Sequence, residues 1–339
     1  MKRSRQMLSQ DTINSVNFLD HMREQLRDWS LSLFDPVSGG FRCNESIGVN
    51  VMSTTDMVWL RYAANDLNPG SPDRDKIVEY LHGKQDPDTG RISHDYGGHS
   101  DGHAFWQAVR ALRILDAQLP HFPAYMEPML NPSGLDTWFM SLNWDGFSDE
   151  RRGNHHEVLG LIPAIVSLAD DELTQCLFRN IENQQNKETG TWPRAKTNIS
   201  RTFAYTALHL ATGRMPKMPE AILDKILRMQ YENGLWDKDL PSFGSMDSAY
   251  LLVRLPGRIG GYRQKDATDS LQKLSAAMRR VFAAGQEALL RDTHRMLAMT
   301  HTFGLLQEVF PNEYKSERPY RFDWDKLDLY VCEVIARKQ

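Results

Sequence analysis

The sequence predicts an all-helical fold, an (α/α)6 toroid in which six inner helices are ringed by six outer ones. Three observations lead there: a glycine-bearing turn that recurs along the chain, two distinct helical patterns between turns, and the near absence of strand signals.

The turn DPVSGGF (35–41) returns in altered form as DPDTGRI (86–92), NWDGF (143–147), NKETGTW (186–192) and YENGLW (231–236). With Gly40, Gly90, Gly146, Gly190 and Gly234 as markers, the spacings are 50, 56, 44 and 44 residues, and a degenerate sixth turn is expected at Gly285. Glycine suits these positions because the turns call for positive φ.

Ahead of the turns lie amphipathic segments such as PDRDKIVEYLHGKQ (72–85) and PEAILDKILRMQ (219–230), charged on one face and apolar on the other. After them come AFWQAVRALRIL (104–115), VLGLIPAIVSL (158–168) and SAYLLVRL (248–255), apolar nearly all round. A helix of that kind is buried on both sides. The expected units run about 13–66, 73–117, 121–169, 171–213, 217–257 and 266–310, with an extension at 311–339. Such pairs stack openly or close on themselves. The apolar character of the inner helices favours closure, so that a single domain spans 1–339, and an open helical repeat is the alternative.

Net charge of -4 and a pI near 6.3 argue against nucleic-acid and anionic-membrane partners. The basic start MKRSR is not followed by an apolar run, and no stretch has the roughly 18 apolar residues of a membrane span. Cys43, Cys176 and Cys332 lack metal-type spacing, and without an export signal the expected location is the reducing cytoplasm.

The Q-x-x-x-x-G-x-W/F turns, at Gln185 to Trp192, Gln230 to Trp236 and more loosely Gln85 to Ile92, resemble α/α-toroid repeats. Such repeats occur in terpene cyclases and protein prenyltransferase β-subunits, and in toroid polysaccharide lyases and glycoside hydrolases. The resemblance spans roughly Leu33 to Phe310 and speaks to fold more than to chemistry.

Polar residues gather 7 to 16 positions after each marker, at the starts of the inner helices. They are Thr54, Thr55 and Asp56; His99, Asp101 and His103; Asn154, His155, His156 and Glu157; Asn198, Ser200 and Arg201; Ser245 and Asp247; and Asp292, His294 and His301. Any one set reads as ordinary helix capping. Taken together in a closed ring, they converge on one mouth, and histidine and arginine are poor caps because their charge opposes the helix dipole. Converging N-termini also suit an anion.

The isoprenoid members of the resemblance imply motifs that are missing. Asp247 is followed two residues on by Ala249 rather than the cysteine a zinc-bound D-x-C needs, and no D-x-D-D acid occurs. The segment GNHHEVLGL (153–161) is similar to the Asn-Asn-His element of toroid polysaccharide lyases, with Gly153 where a second Asn is expected. That resemblance implies Asn154 as neutraliser of a uronate carboxylate, His155 as general base, Arg201 as carboxylate clamp and Tyr205 or Tyr250 as proton donor.

Hydrolysis by a carboxylate pair drawn from Asp56, Asp101, Glu157 and Asp247 is the competing reading, with the histidines on sugar hydroxyls. His156 stands with Asn154 and His155 among the catalytic candidates, His99 and His103 among the substrate-binding ones. Trp59, Trp106, Trp144, Trp192 and Trp236 suit sugar stacking, though core or turn packing explains most of them. The expected partner is therefore an anionic oligosaccharide, with an isoprenoid enzyme or a non-catalytic binding repeat as alternatives. No cofactor is expected. The one metal candidate is His99 with His103, four apart, plus His155. In the extension, SERPYRF (316–322) reads as a surface loop and DKLDLYVCEVIARK (325–338) as an amphipathic helix over the outer layer.

Overall fold

The computed structural model describes residues 15–67, 73–93, 100–144, 155–168 and 170–326, together with Thr12 and Ser71. Within them regular structure is helical, and extended pairing is limited to three isolated bridges, Phe34 to Phe41, Arg42 to Val49 and Gln85 to Ile92. None of the described helices is long and apolar enough to cross a membrane.

Twelve α-helices run through the described residues. They are α1 (Phe18–Leu33), α2 (Val51–Ala63), α3 (Arg74–His82), α4 (Asp101–Ile114), α5 (Pro132–Ser141), α6 (His155–Leu168), α7 (Asp171–Asn183), α8 (Ile199–Ala211), α9 (Pro219–Arg228), α10 (Phe243–Arg258), α11 (Gln264–Leu289) and α12 (Thr293–Val309). A short 3-10 segment, Ala124–Met129, precedes α5.

The two sequence patterns sort as expected. Every residue of α2 except Tyr62 is buried, and α12 is buried without a break from Met296 to Leu306. By contrast α3 buries only Ile77 and Leu81, and α9 only Ile222, Leu223 and Ile226, the i, i+3, i+4 stripe of a half-buried helix. Among the even-numbered helices, α2 packs on α4, α4 on α6, α8 on α10 and α10 on α12, and α12 packs in turn on α2. At the tightest of these contacts a Cβ on Gly160 of α6 would lie 2.4 Å from the Gly102 carbonyl of α4.

The recurring turns share one construction. In three of them the amide of the positive-φ glycine donates four residues back, Gly39 to Asp35, Gly90 to Asp86 and Gly190 to Asn186, and Gly234 donates to Tyr231. The glutamine before the turn then ties it to the next outer element. Gln185 Nε2 donates to the Gly190 and Lys217 carbonyls, Gln230 to Gly234 and Ser270, and Gln85 to Gly90 and His121. Each brace joins two backbone carbonyls, one in the turn and one in the next element, worth about 1 kcal/mol per bond.

The following aromatic is anchored as well. Trp192 and Trp236 donate through Nε1 to Ile181 and Ile226 of the preceding outer helices, both at 2.8 Å. Their backbone amides, and that of Phe41, donate to Thr202, Ser245 and Thr54 hydroxyls on the inner helices. Thr54 and Ser245 therefore brace the turns.

Two sequence markers need correction. The glycine that adopts positive φ in the first turn is Gly39, not Gly40, because its position matches Gly90 four residues after the turn's first residue. Gly285 marks no turn: α11 runs through it as continuous helix, and α12 follows after a short link at Leu290 to Asp292. Gly146 lies outside the described residues.

Candidate active site at the inner-helix N-termini

Four of the even-numbered helices, α2, α4, α8 and α12, begin with side-chain caps that fix their first turns. Asn50 accepts from the Ser53 amide, Asn198 from Arg201 and Asp292 from Arg295. On α4 the cap is Ser100, which accepts from the His103 amide, so capping falls to the residue after His99. Asp237 takes this role for α10, accepting from the Ser242 and Ser245 amides.

The most developed polar group joins α2, α4 and α12. His294 Nδ1 lies 3.1 Å from both carboxylate oxygens of Asp56. Thr293 Oγ1 donates to Asp56 Oδ2 at 3.4 Å, and Gln107 Nε2 to Oδ1 at 3.3 Å, with Thr55 donating in turn to Gln107 Oε1. Asp56 is 0% exposed, while the His294 side chain is 22% exposed, so the carboxylate stands behind the ring. Burial draws the imidazole toward its neutral form. The Asp56 charge and hydrogen bond outweigh that, and His294 holds its proton above the usual histidine range.

Phe243, the first residue of α10, packs its ring 4.2 Å from that of His294. His103 faces His294 at 6.2 Å and Trp106 at 5.8 Å. Beside them the first turns of α4 and α6 meet at the Gly102–Gly160 contact, and Glu157 Oε1 accepts from the Gly102 amide at 3.4 Å. Asp101 points outward, 3.8 Å from Arg91.

A second group lies on α8 and α10. Arg201 is buried and donates to the Trp144 carbonyl. Tyr205, one turn further in, is 0% exposed beside Trp144 and Trp192, and burial raises its phenol pKa. Asp247 is buried, and the Ser200 hydroxyl approaches it without forming a hydrogen bond of ordinary geometry. Burial, joined by the nearby Asp237 charge, lifts its carboxyl well above the ordinary value. Tyr250 packs between Phe203 and Phe322 deeper along α10.

Sequence reasoning missed what lies beneath. The segment read as a surface loop keeps Glu317, Arg318, Pro319 and Arg321 exposed but buries its aromatics: Tyr320 and Phe322, with Trp324 just beyond, are each at most 6% exposed. Trp324 packs on Trp59 of α2, Trp106 of α4, Phe203 of α8, Phe243 of α10 and His301 of α12. Its Nε1 donates to His301 Nε2 at 3.0 Å. Burial and the Arg110 charge press His301 down to about 3, so it is the neutral acceptor this bond requires. Arg110 lies within 5.2 Å of the Trp59, Trp106 and Trp324 rings, a desolvated cation–π cluster. His301 and Trp59 thus belong to an aromatic floor. Trp192, fully buried in its turn, has no stacking face to offer. The only sequence signal for the floor was the density of aromatics in PYRFDW (319–324).

His99 and Asn154 lie outside the described residues, as do the side chains of His155 and His156 and the helix expected from 327 onward. Among the described residues no group of three or more His, Cys, Asp and Glu is arranged to hold a metal ion. Helix position orders what remains into layers at 1.5 Å per residue. His294, His103, Glu157 and Arg201 occupy first turns, Asp56 and Asp247 second turns, and the Trp59, His301 and Trp324 floor lies below. Compared with protein-family models, curated proteins and solved structures, the chain matches none.

Proposed function

We propose that the chain closes into an (α/α)6 toroid whose mouth is the active site of an enzyme cleaving an anionic, uronate-containing oligo- or polysaccharide. The packing of α12 onto α2 supports closure, since it joins the last inner helix to the first. One observation carries the functional reading: a fully buried Asp56 bonded to a partly exposed His294. An imidazole oriented by a carboxylate is the usual form of a general base. With Nδ1 committed to Asp56, proton exchange with substrate falls to Nε2.

Arg201 and the helix N-termini supply positive potential for a substrate carboxylate. In β-elimination the base takes the proton next to that carboxylate; in hydrolysis it activates water. The aromatic floor favours this reading over an isoprenoid one, which needs a deep open cavity where Trp324 packs.

The test is a screen of alginate, polygalacturonate and glycosaminoglycans, followed both by absorbance of a new C=C bond and by reducing ends. Elimination raises both signals and hydrolysis only the second. His294→Gln should abolish whichever signal appears while leaving the helical circular dichroism intact. Undiminished turnover in that variant rejects the dyad as the base.

A further inference from the structure

We infer that Asp247 is the proton donor to the leaving oxygen, acting opposite the His294–Asp56 base; this rests on the sugar-cleavage reading above. On α10, Phe243, Asp247, Tyr250 and Arg254 follow one another at i, i+4, i+7 and i+11 and so share a face. That face is turned to the interior. Phe243 packs against His294 and Trp324, Tyr250 against Phe322, and Arg254 Nε donates to Asp325 at 2.9 Å.

Asp247 therefore lies one turn along α10 from Phe243, whose ring packs on His294, and one turn before Tyr250. It is 1% exposed, and neither of its carboxylate oxygens has a hydrogen-bond partner among the described residues. A buried carboxylate without donors is costly, and Asp56 shows the contrast: at a similar depth it gathers His294, Thr293 and Gln107. Burial lifts both carboxyls, but at Asp56 the His294 charge and three donors oppose it, whereas Asp247 has only the nearby Ser200 hydroxyl, so the two divide into an orienting group and a neutral acid. Asp237 faces the same region, and its own oxygen is occupied by the Ser242 and Ser245 amides.

In the step itself the C–O bond breaks and its electron pair goes to the leaving oxygen, which takes the proton of Asp247. Asp247 becomes a carboxylate, and His294 Nε2 takes up the compensating proton. In hydrolysis that proton comes from the water whose oxygen bonds to carbon; in elimination it comes from the carbon beside the substrate carboxylate, as the C=C bond forms. Transfer through solvent restores both groups.

Two measurements on the full chain decide the matter. Infrared difference spectra of wild type minus Asp247→Asn at neutral pH should show the C=O stretch of a protonated carboxylic acid. Asn is isosteric with the neutral acid and should fold; should it not, Asp247→Ser gives the same difference. Absence of that band overturns the assignment whatever the turnover. On polygalacturonate, Asp247→Asn should lose about a hundredfold or more in kcat. On a uronate carrying 4-nitrophenoxide at the bond that breaks, C1 for hydrolysis and C4 for elimination, the leaving group needs no proton and the loss should be far smaller, whereas His294→Gln loses on both. Equal losses on the two substrates reject Asp247 as the donor. If wild type turns over no uronate glycan while the band is present, the substrate class fails and the neutral acid stands.

Discussion

Trp324, in an irregular segment near the end of the described chain, donates its indole N–H to His301 at the middle of α12. The bond fixes a ring that also touches residues of α2, α4, α8 and α10, so one side chain links five inner helices. Trp324→Ala should therefore cost about 3–5 kcal/mol, the range for emptying a large buried aromatic site. Urea unfolding with an unchanged m-value is the measurement. A loss below about 1 kcal/mol would mean that the segment is a surface appendage after all.

His301→Phe isolates the polar part of that contact. It preserves the aromatic packing but leaves the indole N–H buried without an acceptor, at about 1–3 kcal/mol. The pH dependence has a defined sign. His301 in the fold titrates near 3, below its unfolded value of 6.5, so the native state binds fewer protons between these limits. Wild type should lose stability as pH falls through that window, and His301→Phe should lose less.

Asp247→Asn should stabilise the protein at neutral pH. The folded carboxyl stands well above 3.8, so above that value native protein binds more protons than unfolded chain, and stability falls as pH rises. Asn has no such dependence. Its advantage in thermal melts should be present at pH 7 and shrink as the pH approaches 4, and an advantage that grew toward acid would contradict a raised carboxyl.

Turnover should have an acid limb above pH 6.5. Asp56 raises the His294 pKa, and the base works only once the imidazole has released its proton. Asp56→Asn removes that charge, so the limb should move to lower pH while kcat falls; a limb that stays in place assigns the titration to another group.

The turns offer a test of the repeat. Gln185→Ala and Gln230→Ala each remove two bonds to backbone carbonyls and should cost about 1–3 kcal/mol in chemical denaturation. Gly90→Ala should be worse than either, because its φ is positive and a Cβ would lie 2.2 Å from the Phe122 carbonyl. Tolerance of that change would remove the reason for glycine in the turn.

The sequence by itself determined the helical character, the inner and outer patterns and the recurrence of the turns. These follow from hydrophobic period, and from glutamine and glycine at fixed places around a short turn, all of them local properties. It also pointed to the first turns of the inner helices, because histidine and arginine are misfits as caps. It could not tell a brace from a reactive group: Thr54 and Asp56 lie two residues apart, yet one holds a turn and the other a histidine from α12. Only tertiary structure decided that pairing, since His294 lies 238 residues further along the chain. It alone put Trp324 among α2, α4, α8, α10 and α12, because burial of an irregular segment depends on the space those helices leave, which no local pattern encodes.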